Sequence, residues 1–141
     1  MYPENIVTQI RILPTSSSDP DFKDEKAMKN FFSIKLPLNG KFHFHRNNVA
    51  QPKGTLILFQ YKNAIVASGI MESRKDTLDE GYKGYYIFNK DSINLLTKSI
   101  SKDELKDADV GFERFGNTSK RIDIKYFREI NNLLDEHFDE K

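Results

Sequence analysis

Two apolar runs separated by only two residues constrain the fold of this chain more than any other feature. Residues 55–61 read Thr-Leu-Ile-Leu-Phe-Gln-Tyr and residues 64–71 read Ala-Ile-Val-Ala-Ser-Gly-Ile-Met. Such runs, joined here by Lys62 and Asn63, are typical of a β-hairpin. Because neither run alternates with polar residues, we expect both strands to be buried on both faces or to lie in a barrel wall. Gly69 inside the second run predicts a bulge or a close backbone approach.

The segments before this hairpin predict two strands and an early helix. Residues 5–13 alternate apolar and polar side chains and predict a first strand, followed by a loop at 14–20. Residues 19–32 predict a helix capped by an aspartate, although residues 30–36 could instead form a strand. Residues 41–46 alternate cleanly and predict a further strand.

The segments after the hairpin predict one more strand and three helices. We expect a charged loop at 72–82, a strand at 84–89 and a short helix from Asp91 or Ser92 through Leu96. Ser101 and Glu104 have the spacing of a capping box. The apolar stripe over 123–138 predicts a C-terminal amphipathic helix within residues 120–141. The fold class is therefore α+β: one domain over 1–141, with a small curved or barrel-like sheet and flanking helices.

Charge is distributed unevenly along a chain whose formal net charge is only +1. Residues 1–25 sum to −3, residues 26–71 contain no acid and sum to +7, and residues 72–141 sum to −3. Burial explains the missing acids after Thr55, so the informative part is about Lys26–Lys53. Its most concentrated stretch, Lys41–Arg46, predicts an anionic partner, and nucleic acid is the first candidate.

Several kinds of chemistry are excluded or disfavoured. The chain has no cysteine, which rules out disulfides and thiol nucleophiles. No Walker loop, dinucleotide-binding glycine pattern or nucleophile elbow occurs. His43 and His45 could form a metal pair, but no carboxylate lies nearby in the sequence to complete a site. We therefore expect no metal, no cofactor and no catalytic residues. No secretion signal and no membrane-spanning run is found, which predicts a cytoplasmic protein.

The candidate binding residues fall into two groups. Side chains that can donate hydrogen bonds to phosphates or bases are Lys41, His43, His45, Arg46, Asn48, Lys53 and Arg74. Tyrosines that could stack on a base are Tyr61, Tyr82 and Tyr85. Each tyrosine could equally lie at the rim of the sheet, and each charge could simply be solvated.

The central hairpin also resembles a known family. Gly54–Tyr61 followed by Ile65–Ile70 is similar to the glycine-initiated hydrophobic hairpin of EVE, ASCH and YTH domains in the PUA-like superfamily. Thr55 stands where these domains usually have an acid. The chain has no tryptophan, so any base-binding cage must use tyrosine or phenylalanine.

This resemblance implies recognition of nucleic acid, often with a modified base turned out of the helix into a pocket. Such domains also precede the nuclease domain of modification-dependent restriction endonucleases. The resemblance implies that this chain could be such a reading domain from a longer enzyme. The expected function is therefore DNA recognition, with RNA as the less favoured partner and no membrane. Two alternatives are a small RNase or nucleotide hydrolase of the ASCH type and a domain that binds an acidic protein.

Overall fold

The computed structural model describes residues 1–45, 49–79 and 81–138, with only the backbone of residues 78 and 79. Seven strands form one sheet: β1 Gln9–Pro14, β2 Lys41–Phe44, β3 Thr55–Tyr61, β4 Ala64–Asp79, β5 Tyr82–Phe88, β6 Asn94–Ser101 and β7 Lys120–Ile122. The α-helices are α1 Glu25–Asn30, α2 Leu36–Asn39, α3 Lys102–Asp107 and α4 Phe127–His137. A π-helical turn, Phe31–Lys35, joins α1 to α2, and 3-10 turns lie at Glu4–Ile6, Pro20–Phe22, Lys90–Ser92 and Ile124–Tyr126.

The sheet is open and curved rather than a closed barrel. Its order is β2-β5-β4-β3-β1-β7, and β6 pairs with β4 beside this path. The long strand β4 connects the two halves of the curved sheet, because its first half pairs with β3 and β6 and its second half pairs with β5. The predicted α+β class and the small curved sheet are confirmed, whereas the expectation of a β-barrel is wrong: β2 and β7 remain separate edges.

Helices cover both faces of the sheet, which explains the apolar hairpin. One core contains Phe32 and Leu36 from the early helical segment and Phe59 from β3. The other contains Leu58 from β3, Leu105 from α3 and Ile130 from α4. Every residue of β3 is buried, as its continuous apolar sequence predicts.

The hairpin itself forms as predicted, with one difference in detail. The β3–β4 register shifts between Phe59 and Gln60, so the bulge does not lie at Gly69. A Cβ on Gly69 would stand 2.6 Å from Ile93 Cδ1, which shows that this glycine makes room for a packed side chain.

Three predictions of local structure are wrong, and the alternative of a strand at residues 30–36 is excluded. The segment 30–36 is helical rather than extended, because it continues α1 through a π-helical turn. Residues 72–79 extend β4 instead of forming a loop, and they pair with β5. Residues 94–96 begin strand β6 rather than ending a helix. Residues 4–6 form a 3-10 turn, so the first strand begins at Gln9.

The predicted helix ends are largely confirmed. Asp19 is a cap as predicted, but of the 3-10 turn at Pro20–Phe22; the helix α1 begins later than predicted, at Glu25, and is capped by Asp24. Ser101 and Glu104 form the capping box of α3. Asp123 caps the turn that leads into α4, but residues 120–122 before it form the edge strand β7. None of the helices within the described ranges is both long enough and apolar enough to cross a membrane.

Candidate nucleic-acid interface

An open cavity of about 700 Å³ lies beside the last residues of β1 and β3 and the strand β2. We call it the aromatic cavity, because its walls include Phe22, Phe42, Phe44, Phe115, His43 and His45. Pockets of this size hold small planar ligands and are usually apolar with a few polar groups. The site can therefore accept a flat ring system.

Strand β2 places its two histidines next to two tyrosines of β5. Phe42 and Phe44 are buried on one face of β2, and His43 is exposed on the other. His43 lies opposite Tyr85 in the strand register. Its ring centroid is 5.0 Å from that of Tyr82 and 5.5 Å from that of Tyr85. The structure thus brings these candidates from the two strands together.

His45 and Tyr82 form a stacked pair at one end of the β2–β5 strand pair. Their ring centroids are 4.7 Å apart with 29° between the planes. His45 Nδ1 donates to the Gly81 carbonyl at 3.2 Å, since a carbonyl can only accept. Tyr82 donates its hydroxyl to Asp19 Oδ2 at 2.8 Å. The pair is therefore held from two sides. Lys41 lies farther along the same face, with Nζ 4.9 Å from the Tyr85 ring centroid.

Gln60 contributes the most constrained polar group of the cavity lining. Its side chain is 7% exposed. Nε2 donates to the Lys62 carbonyl at 3.0 Å and to the Gly116 carbonyl at 3.1 Å. These two acceptors fix the orientation of the amide, and they leave Oε1 buried without a hydrogen-bond partner. Gln60 thereby ties the wall that contains Gly116 to β3.

Sequence reasoning missed Gln60 as a site residue. The available signal was a single amide in a run whose other members are Thr, Leu, Ile, Phe and Tyr. A polar side chain in a buried strand needs hydrogen-bond partners. In Gln60 the amide nitrogen has two, whereas the amide oxygen has none among the described residues.

Four basic side chains line a second cavity, of about 660 Å³. We call it the basic cavity, because Arg11, Lys53, Arg74 and Arg121 line it together with one acid, Glu72. Lys53 and Arg74 are predicted binding residues, and the structure brings them together here. Arg11 and Arg121 were missed. Arg121 belongs to β7, a strand that the sequence does not predict.

The two cavities lie along the same strand. Arg11 lines the basic cavity and Leu13 lines the aromatic cavity, and residues two apart in a strand share a face. The charges of the two cavities differ. The aromatic cavity has one Asp and one Lys, Asp19 and Lys62, whereas four cations and one acid line the basic cavity.

Of the other three predicted residues, one takes no part in this arrangement and two lie outside the part of the chain that the structure describes. Tyr61 is 8% exposed, packs in the core and lines neither cavity. Arg46 and Asn48 lie outside the described residues. Across residues 1–45, 49–79 and 81–138, no group of three His, Cys, Asp or Glu side chains could hold a metal ion.

Two buried polar networks lie away from both cavities. Tyr2 donates its hydroxyl to the Ser92 carbonyl at 2.7 Å and also contacts Ser68 Oγ at 2.7 Å, and burial raises the pKa of Tyr2 to about 12. Glu104 Oε2 accepts from His137 Nε2 at 2.6 Å. The backbone N–H of Ser101, followed by His137, lowers the pKa of Glu104 despite its partial desolvation. Both networks join distant segments of the fold.

Comparison with known proteins identifies the fold. No family model matches the chain, and no curated protein matches it at a significant level. Among solved structures, the chain is similar to the N-terminal domain of Thermococcus gammatolerans McrB bound to m5C DNA. The TM-score is 0.56 at 12% sequence identity, and the match covers 92% of this chain and 98% of that chain. This likeness extends over nearly the whole domain and shows a shared fold.

Proposed function

We propose that this chain is a DNA-binding module that holds a base, turned out of the duplex, in the aromatic cavity. The observation that carries the proposal is the cavity itself, whose lining combines several ring systems with polar groups and has no excess of charge. The carboxylate of Asp19 on the lining could accept a hydrogen bond from the edge of a base. A nucleobase is flat, uncharged and rich in hydrogen-bonding groups, and it therefore matches this lining.

The energetics of base extrusion agree with this assignment. Turning a base out of a duplex costs a few kcal/mol. Stacking against an aromatic side chain returns about 1–3 kcal/mol per base. His43, His45 and Tyr82 supply rings beside or within the cavity, so the site can offset much of this cost. A base whose pairing is already weakened should bind more tightly.

The structural neighbour supports both the partner and the first base to test. That protein was solved bound to m5C DNA, and this chain shares its fold over 92% of its length. We therefore propose methylated cytosine as the first candidate for the extruded base. In a restriction system, such a module would serve as the specificity domain that directs a nuclease to modified DNA.

The test is fluorescence anisotropy with three labelled duplexes of one sequence: unmodified, carrying one 5-methylcytosine, and carrying one mispair. We expect salt-sensitive binding to all three, with the modified or mispaired duplex preferred. Replacing both His43→Ala and His45→Ala should reduce that preference by roughly tenfold, as expected from the loss of about 1–3 kcal/mol of stacking.

Lys98→Ala is the matched control, because Lys98 is exposed on β6 and lines neither cavity. Circular dichroism melting establishes that each variant is folded. Absence of binding to every duplex at low salt would refute the proposal. So would a double histidine variant with the wild-type preference.

A further inference from the structure

The basic cavity has an electrostatic imbalance that its own fold does not relieve. Its lining includes three arginines and one lysine but only one carboxylate, that of Glu72. Among the described residues, the ion pairs include only one of these cations: Arg74 with Asp76, at 4.0 Å. That distance is the outer limit of a salt bridge, and Asp76 is largely exposed.

The excess of positive charge is most concentrated at Arg11 and Arg121. They lie directly opposite each other in the antiparallel β1–β7 register. Like charges in such a pair destabilise a sheet. Among the described residues, the side chain of Arg11 donates to two neutral partners, Gln9 Oε1 at 3.2 Å and Ser119 Oγ at 3.4 Å. An anion between the two guanidinium groups would remove the repulsion and use their free donors.

We infer that the basic cavity is a phosphate-binding site for the backbone on either side of the nucleotide whose base enters the aromatic cavity. This inference rests on the proposed function and adds the path of the backbone to it. Guanidinium groups bind phosphate oxygens through paired hydrogen bonds, so a cavity lined by three arginines suits a phosphodiester group.

The positions of the two cavities support one continuous site. Two residues of a strand span about 6.6 Å, which is the separation of Arg11 and Leu13 along β1. A nucleic acid strand carries one phosphate per about 3.4 Å of helix axis. On β1, lining residues of the two cavities are therefore separated by a length comparable with about two nucleotides of one strand. Charge separates the two roles. The uncharged base suits the aromatic cavity, and the negative phosphates suit the basic cavity.

The test separates phosphate contacts from base contacts by salt dependence. Binding of the preferred duplex is measured from low salt to physiological salt, for wild type and for the double variant Arg11→Gln with Arg121→Gln. Each lost phosphate contact lowers the slope of log K against log salt by about 0.9. We expect the slope to fall by about 1 to 2, with affinity reduced equally for modified and unmodified duplexes.

Arg128→Gln is the matched control, since Arg128 is exposed on α4 and pairs with Glu4 at 3.6 Å away from both cavities. It should keep the wild-type slope. The single variant Arg121→Gln changes only an exposed side chain, so it keeps the test valid if the double variant fails to fold.

The possible outcomes distinguish this inference from the proposed function. If wild type binds no duplex, the proposed function fails. If wild type binds with a steep salt dependence and the arginine variants keep that slope, the phosphate site is refuted while the proposed function stands. A loss of preference for the modified base in the arginine variants would also contradict the inference, because phosphate contacts do not read the base.

Discussion

Replacing Gln60 by glutamate tests how the aromatic cavity is built. The substitution keeps the shape of the side chain but exchanges the amide nitrogen for an oxygen. In the native protein that nitrogen donates to the Lys62 and Gly116 carbonyls at 3.0 and 3.1 Å. In Gln60→Glu at neutral pH, a carboxylate oxygen would face both carbonyl oxygens in a site that is only 7% exposed.

The expected cost has two parts. Two hydrogen bonds contribute about 2 kcal/mol in total. Burial beside two carbonyl oxygens should raise the pKa of the introduced carboxyl by about 3 units, and because the raised pKa then lies close to pH 7, this adds about 3 kcal/mol at that pH. The sum, about 5 kcal/mol, is comparable with the whole stability of many domains. Gln60→Glu should therefore be barely folded at pH 7.

The second part of this cost depends on pH, and its sign follows from the raised pKa. Below about pH 4 the introduced carboxyl is protonated in the folded and the unfolded state, so no charge is buried. As the pH rises towards 7, the unfolded state releases the proton first and the variant loses stability. The protonated group can also donate to one of the two carbonyls.

Gln60→Leu is the matched control for the charge. It loses the same two hydrogen bonds, but it also removes the unsatisfied Oε1 atom, so we expect a net cost of only about 1 kcal/mol. Urea unfolding followed by far-ultraviolet circular dichroism measures both variants from pH 4 to pH 7. At pH 7 the midpoints should differ by about 2 M or more. Equal midpoints at pH 7 would show that the Gln60 amide does not hold the cavity wall.

Two further predictions concern the buried networks. Tyr2→Phe removes the donor to the Ser92 carbonyl and should lower the free energy of unfolding by about 1–3 kcal/mol, measured by urea unfolding. Tyr126→Phe is the control. An equal effect in that variant would contradict a stabilising role of the Tyr2 hydrogen bond. Glu104 has a lowered pKa in the folded state. It therefore stabilises the fold above its ordinary pKa of 4.5 and loses that contribution as the pH falls through the lower value. Glu104→Gln should be less stable than wild type at pH 7, and the gap should shrink by pH 3; a constant gap would refute the linkage.

The elements that the sequence predicts well are those specified by neighbouring residues. The β3–β4 hairpin follows from two apolar runs and a two-residue link, and the capping box of α3 follows from Ser101 and Glu104. The alternation of β2 places Phe42 inside and His43 outside, as expected. In each case a local pattern and the final environment agree.

The elements that the sequence misses depend on a partner strand. Residues 72–79 are rich in charge, which predicts a loop, yet their backbone pairs with β5 while Glu72, Lys75 and Asp76 stay exposed. Residues 94–101 form β6 because β4 offers an edge, not because their own pattern alternates. The three residues of β7 carry too little pattern to be recognised without β1.

The candidate site shows the same limit in its charges. The acid-free window 26–71 sums to +7, but among its basic residues that the structure describes only Lys53 lines the basic cavity. Lys29 and Lys35 are neutralised by Glu25 and Asp21, which precede the window in the sequence. A run of positive charge in a sequence therefore does not become a positive surface where acids fold back onto it.

The cations of the basic cavity come from four separate places in the chain. Arg11 and Arg121 meet because β7 pairs antiparallel with β1, and Lys53 and Arg74 come from the loop before β3 and from β4. None of these four lies next to another in the sequence, so no window of charge could have revealed the cluster. If phosphate binding explains why Arg11 lies opposite Arg121, the repulsion between them lowers the stability of the DNA-free protein in exchange for affinity for DNA. The cluster itself can be detected only from the register of the strands.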